Sequence, residues 1–368
     1  MATAHPEDSL AFLPMPLPPV FGHQALLGRL EAAIASGRFP QAALLVGPQG
    51  AGKQRVALWA AQALLCERAG GSPCGECLDC RQAAELTHPD LHWFVPIPRP
   101  KATDPAKQMD EARESLGSVI AERRKSPWYR PPDGLASHSL ASVRVLQRVV
   151  GLTPFRSRRK VVILGNAERL VVQDASPEAA NALLKVLEEP PADTTIILTT
   201  AEPQSLLPTI RSRVVPIRVG PVGDEVVRQF LAQALTPAPG GAALERRVSG
   251  AAGLIGRALW AADGGAEAGV VRAQAILAAV QRGGAAWAEA ALGQAPWGAR
   301  GDFAATLDGL AGTLREALKN DADAGDRDGA VRRLTALRLV DEARDGVGSN
   351  TNPQLVLAVL ARELERVG

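Results

Sequence analysis

Residues 47–54, GPQGAGKQ, fit the phosphate-loop pattern G-x-x-x-x-G-K-[ST] at every place but the last, where Gln54 stands instead of a hydroxyl residue. In that pattern Gly47, Gly50 and Gly52 let backbone N–H groups close around phosphates, and Lys53 reaches the outer ones. Hydrolysis needs more. Mg²⁺ has to be held by the hydroxyl after the lysine and by an acidic residue at the end of a later strand, with a carboxylate nearby to activate water. Gln54 has no hydroxyl, and the apolar run KVVIL is followed by Gly165, Asn166 and Ala167, with Glu168 further on. With both supports missing, no ATPase activity is expected of the chain alone. Whether ATP or ADP still occupies the loop stays open.

The second group that could do chemistry is cysteine. Cys66, Cys74, Cys77 and Cys80 are spaced C-x7-C-x2-C-x2-C within residues 66–80, and they are all the cysteines of the chain. The closing C-x2-C-x2-C lets thiolates converge on one tetrahedral ion, and Cys66 completes a closed shell with no open position, which is the pattern of structural zinc. His88, in LTHPDLHW, offers itself as another ligand but reads as an exposed turn histidine before a proline. The run Arg156, Arg158, Arg159 and Lys160 fits either a DNA-backbone contact or a solvated loop before a strand.

These groups need elements to hold them. The chain of 368 residues is too long for one ordinary core, and its net charge of +2 forces neither a nucleic-acid nor a membrane partner. No apolar run is long enough to span a bilayer and the N-terminus does not read as a signal peptide, so a cytoplasmic location is expected. Up to about residue 220, short apolar runs (AALLV, LHWFV, VVIL, IILTT) alternate with helical patterns, which predicts a parallel sheet covered by helices on both faces. Residues 96–138 read as a mobile surface excursion with a charged helix between prolines. Beyond residue 220 helical patterns alone remain. The last helix is marked by Asn352 as N-cap and Pro353 at its first position, with Leu357, Leu360 and Leu364 on one face. Leu334, Leu337 and Val340 repeat that spacing; both stripes read as a bundle's own core that can also serve partner subunits.

The stretches VFGHQALLGRLEAAIASGRFPQAALLVGPQGAGK, CGECLDCRQ, NALLKVLEEPP (181–191) and RSRV (211–214) resemble the AAA+ clamp-loader subunits of bacterial DNA polymerase III across most of residues 20–220. The likeness continues more weakly through AAGLIGRAL and NPQLVLAVLARELERV. It implies an α/β AAA+ P-loop domain with a zinc-binding insertion (1–220), a small helical lid (221–266) and a helical collar (267–368). Within that family the losses at Gln54 and at Gly165 and Asn166 resemble the delta-prime type, which is non-catalytic. The resemblance implies that Arg213 is an arginine finger offered in trans to a neighbour's ATP, a task that suits a permanently charged, forked guanidinium. Val214 departs from the family's cysteine there.

By the same likeness Thr200 stands at a vestigial phosphate-sensing place, Glu188 and Glu189 orient an interface, and Arg257 is an ordinary helix-surface residue where motor subunits keep a second sensor. The implied partners are gamma/tau-like motor subunits and a delta-like subunit, with the sliding clamp and primed DNA reached through the assembly, as part of the DNA polymerase III holoenzyme. Two rivals remain at this stage: an active gamma/tau-like ATPase with an unusual metal site, and a stand-alone zinc-dependent DNA-binding module.

Overall fold

The computed structural model describes residues 17–68, 70–126, 128, 136–170, 178–235, 240–260, 265–283, 286–293, 300–347 and 352–367. The chain divides into two compact units, Met1–Pro48 with Gly52–Gly220, and Gln49–Ala51 with Pro221–Gly368.

In the first unit the apolar runs form β1 (Ala42–Val46), β2 (Leu91–Phe94), β3 (Lys160–Leu164) and β4 (Thr194–Thr200), joined by β5 (Val215–Arg218), which was not expected from the sequence. All pairs are parallel and the order is β2-β3-β4-β1-β5. β3 and β4 are buried along their whole length, so apart from Lys160 at the start of β3 they read as unbroken Val/Ile/Leu/Thr runs. β5, at an edge, is mostly exposed, which is why VPIR carries no strand pattern. The helices of this unit are α1 (Gln24–Ala35), α2 (Lys53–Leu65), α3 (Leu78–Ala84), α4 (Pro105–Lys125), α5 (Leu140–Val150), α6 (Glu178–Glu188) and α7 (Pro208–Arg211). α6 buries Leu183 and Leu187 and stops before Pro190 and Pro191, whose carbonyls accept from Gln41 Nε2 at 3.1 and 2.7 Å.

The excursion at 96–138 is closed at its base by an antiparallel bridge between Ile97 and Ser137. Within it Asp104 caps α4, accepting from Lys107 N–H at 3.0 Å, and Pro105 fills the first helical position where no N–H is needed. α4 runs along α5 and buries Ala112, Leu116 and Arg123. Residues 127 and 129–135 lie outside the described set.

The regular elements described in the second unit are helices: α8 (Asp224–Ala234), α9 (Gly241–Ala251), α10 (Ile255–Trp260), α11 (Gly265–Arg282), α12 (Ala286–Leu292), α13 (Arg300–Asp323), α14 (Arg327–Val347) and α15 (Pro353–Val367). Gly253 turns the chain into α10 with a φ of 73°, and a Cβ there would lie 2.3 Å from the Val222 carbonyl. Residues Gln49–Ala51 group with this unit: the Gly256 N–H donates to the Gly50 carbonyl at 2.9 Å. α13 places Phe303, Leu307, Leu310 and Leu314 on one stripe, against Ile276 of α11, Val340 of α14, and Leu357, Leu360 and Leu364 of α15. Asn352 caps α15 as expected, its side chain accepting from Gln354 N–H at 2.9 Å. The stripe on α14 splits: Val340 is buried, Leu337 partly so, and Leu334 is exposed.

Phe303 is fully buried at the centre of the helical core. Phe303→Ala is expected to destabilise the helical unit by about 3–5 kcal/mol, the cost of a large aromatic cavity, read as a lower urea midpoint for the loss of helical signal.

Candidate functional site

β1 ends at Val46, in register with Thr200 of β4 and Arg218 of β5. The chain then enters the phosphate loop. A Cβ on Gly47 would stand 1.9 Å from the Val219 carbonyl oxygen, so no side chain fits. Gly50 and Gly52 have φ of 86° and 87°, the left-handed region that glycine adopts without strain. Lys53 opens α2 and folds back on its own loop, donating to the Gly47 and Pro48 carbonyls at 2.7 and 2.9 Å. Burial lowers its pKa to about 8, against the opposing charge of Glu168. The loop keeps the shape of a phosphate cradle and its lysine.

The metal positions are different. Gln54 extends its amide over the end of β3, where its Nε2 donates to Asn166 Oδ1 at 2.7 Å. Asn166 Nδ2 in turn donates to Glu168 Oε1 at 3.1 Å, and the Asn166 N–H donates to Thr199 Oγ1 at 3.1 Å. A Cβ on Gly165 would lie 2.8 Å from Gln54 Cδ and Oε1, so the amide occupies the volume that a strand-end carboxylate would need. Mg²⁺, which this loop architecture implies, is not matched by these residues. An amide replaces the hydroxyl, glycine replaces the acid, and the next amide is already spent on the first. Below them His138 is fully buried, with Nε2 donating to the Gly165 carbonyl at 2.7 Å. Burial pulls its pKa down to about 4, which keeps the ring neutral.

Thr200 is buried at the end of β4, where its Oγ1 accepts from Glu202 N–H at 3.1 Å and its carbonyl from Gly47 N–H at 3.3 Å. Arg213 follows α7. Its Nη2 pairs with Glu188 of α6 at 2.8 Å and its Nη1 donates to the Thr209 carbonyl at 3.0 Å, with about a third of the side chain exposed. Glu188 is thus the partner of Arg213, a link across 25 residues that the sequence alone did not signal.

Arg257 is not a surface residue. Its Nη2 donates to Asp308 Oδ1 at 3.0 Å, an oxygen shared with Arg344 Nη2 at 2.6 Å. Burial moves the Arg257 pKa downward, with Asp308 opposing.

The four cysteines converge. Their sulfurs all lie within 4.8 Å of one another, with Cys66 to Cys77 at 3.9 Å and Cys74 to Cys80 at 3.8 Å. A regular tetrahedron around an ion with metal–sulfur bonds of about 2.3 Å has edges of about 3.8 Å. The site fits a closed four-sulfur metal ion. Backbone N–H groups of Cys77 and Cys80 point at the sulfurs of Cys74 and Cys77, 3.3 and 3.4 Å away. The Cys77 N–H, followed by that of Glu76, lowers the Cys74 pKa to about 6, while burial pushes the Cys80 thiol up.

His88 is buried rather than exposed: Nδ1 accepts from the Asp90 N–H at 3.0 Å and Nε2 lies 3.2 Å from Asp79 Oδ1 and from Ser157 Oγ. It is no metal ligand. Beside it the buried Asp90 carboxylate accepts the backbone N–H groups of Phe155, Arg156 and Ser157 at 2.6, 2.8 and 2.7 Å. These bonds outweigh desolvation and hold its pKa below the usual range. The basic run is therefore divided. Arg156 pairs with Asp79 and Glu67, and Lys160 is buried with its ammonium donating to the Val149 and Leu152 carbonyls. Of the four, Arg156 and Arg158 are exposed and Arg159 is half-buried.

With that geometry in place, the likeness to known proteins is specific. A family model described as DNA polymerase III, delta subunit, matches residues 22–223. The chain is 37% identical over 198 residues to the DNA polymerase III subunit delta' of Pseudomonas aeruginosa, covering 53% of this chain and 48% of that protein. It is 30% identical over 202 residues to the subunit delta' of Bacillus subtilis, covering 55% and 49%. The subunit tau of Salmonella typhimurium is 28% identical over 213 residues, covering 58% and 26%. The matched segment spans about half the length of the delta' relatives. Among solved structures, a gamma subunit-related protein of Thermotoga maritima aligns over 92% of this chain and 99% of its own, at 18% identity and a TM-score of 0.37. No described helix is long and apolar enough to cross a membrane.

Two outcomes follow from the site. The purified chain should carry about one zinc per molecule by atomic absorption, and Cys77→Ser, or exhaustive chelation, should remove it and lower the thermal midpoint. For His138 the folded pKa lies below the unfolded value of about 6.5, so the unfolded chain takes up a proton that the folded one refuses. Its contribution to stability is complete above about pH 6.5 and is lost as pH falls toward 4. Nitrogen chemical shifts of the ring should report a neutral imidazole at about pH 5 in the folded protein.

Proposed function

The chain belongs to the DNA polymerase III delta subunit family, and from that membership we propose that it serves as the non-catalytic, delta-prime-like subunit of a bacterial clamp loader. The observation that carries this reading is the 2.7 Å bond between Gln54 and Asn166. The two side chains that should face a metal ion face each other instead. Without that ion, the electrostatic stabilisation that phosphoryl transfer depends on has no source in this chain. Lys53 and the glycine loop shape the fold and leave at most weak ATP or ADP binding through backbone N–H groups.

Arg213 is the residue that acts elsewhere. Its pairing with Glu188 is half exposed and screened by solvent, so releasing the guanidinium to a neighbour's phosphates costs little. In the assembled ring Arg213 approaches the ATP of a gamma/tau-like motor subunit and stabilises the charge that develops on the transferring phosphoryl group. A delta-like subunit completes the ring, and the assembly opens the sliding clamp and places it on primed DNA in the cytoplasm. The cysteine site holds zinc as a structural ion that stiffens the turn between α2 and α3. The AAA+ domain, lid and collar divide near residues 220 and 266, the collar at 267–368 joining the ring.

Reconstitution with motor subunits tests this. Arg213→Ala should lower the DNA-stimulated ATP turnover of the assembly by at least about tenfold, while the subunits still co-elute on gel filtration. Unchanged turnover would count against the finger. Mg²⁺-dependent hydrolysis by the isolated chain, lost in Lys53→Ala, would instead make it a motor subunit.

A further inference from the structure

The helix of the 96–138 excursion reaches the same place as the altered metal positions. Arg123, in the last turn of α4, is 5% exposed. Its guanidinium stacks over the Trp93 ring of β2, 4.2 Å from the centroid, and its Nη1 lies 3.4 Å from Gln54 Oε1. The other end of that amide donates to Asn166, which donates to Glu168.

We infer that α4 seals the place where the loop architecture would hold a divalent cation, with Arg123 as the positioning residue that fixes the seal. This rests on the non-catalytic reading and assigns a task to the excursion.

The physical case has three parts. An arginine stays charged in a protein, and here it is buried at the strand ends, so a second cation arriving there meets a like charge in a poorly screened setting. The stack on Trp93 orients the guanidinium, and its donor sets the amide of Gln54 with oxygen toward Arg123 and nitrogen toward Asn166. That orientation spends Asn166 Oδ1, the oxygen that would otherwise face an ion. Gly165 completes the set by having no Cβ where the amide lies, 2.8 Å away. Gln54, Gly165, Asn166 and Arg123 are thus one compensated group, and restoring a single metal ligand meets the others.

Two measurements on the full chain test the seal, both without chelator so that the cysteine site keeps its metal. In a double-mutant cycle, Gly165→Ala should lower the thermal midpoint by about 3 °C or more, because its Cβ displaces Gln54. In a Gln54→Ser background at least half of that loss should vanish. An additive cycle overturns the inference.

The second measurement is thermal protection by ADP with and without added Mg²⁺. The wild type should show the same shift in both buffers. Gln54→Thr with Gly165→Asp should remain insensitive to Mg²⁺ while Arg123 is present, and become sensitive when Arg123→Gln is added. Mg²⁺ dependence in the wild type or in the double variant, or its absence from the triple variant, overturns the role of Arg123. Mg²⁺-ATP hydrolysis by the wild type would sink the non-catalytic reading separately.

Discussion

The amide of Gln54 and the backbone of residue 165 compete for the same space at the end of β3, and the architecture of the site follows from how that competition is resolved. A carboxylate there would need a Cβ within 2.8 Å of the amide, closer than non-bonded carbon atoms approach. Glycine removes the conflict. With residue 165 a glycine, Gln54 lies flat over the strand end and Asn166 turns to meet it with a φ of 55°, an uncommon conformation that asparagine tolerates better than most residues. Gln54, Gly165 and Asn166 are therefore one packing solution.

The arginines differ in how many acidic and aromatic partners the fold gives them. Arg123, Arg156 and Arg257 each hold a fixed partner in the fold: Gln54 and Trp93, Asp79 and Glu67, and Asp308. Buried or networked guanidinium groups are costly to uncover, because removing one partner leaves the other unpaired. Arg213 pairs with the half-exposed Glu188 and donates to the Thr209 carbonyl, and water screens that ion pair and replaces it readily.

Much of this is legible in the sequence. The cysteine spacing gave the convergence of four sulfurs, since C-x2-C turns bring thiolates together locally, and the apolar runs gave four of the five strands. Most of what could not be read shares one property: long sequence separation. Gln54 and Arg123 are joined across 69 residues, and Arg257 and Asp308 across 51. His88 looked like an exposed turn residue because its partner Ser157 lies 69 residues away, and the basic run looked free because its acids sit in other elements. β5 was missed for a different reason: an exposed edge strand lacks the apolar pattern that marks its neighbours.

The sequence by itself determined which atoms stand beside the loop lysine and at the end of β3. Metal ligation needs particular atom types at fixed places beside the lysine and at a strand end, and glutamine, glycine and asparagine do not supply them. It also determined where a four-sulfur site would form, because that geometry is local. Only the tertiary structure decided that Gln54, Gly165 and Asn166 form a packed group reaching to Arg123 on α4, and that Lys160 and Arg257 are internal. Those outcomes depend on which side chains the sheet order and helix packing bring within a few ångströms, and no spacing along the chain encodes that.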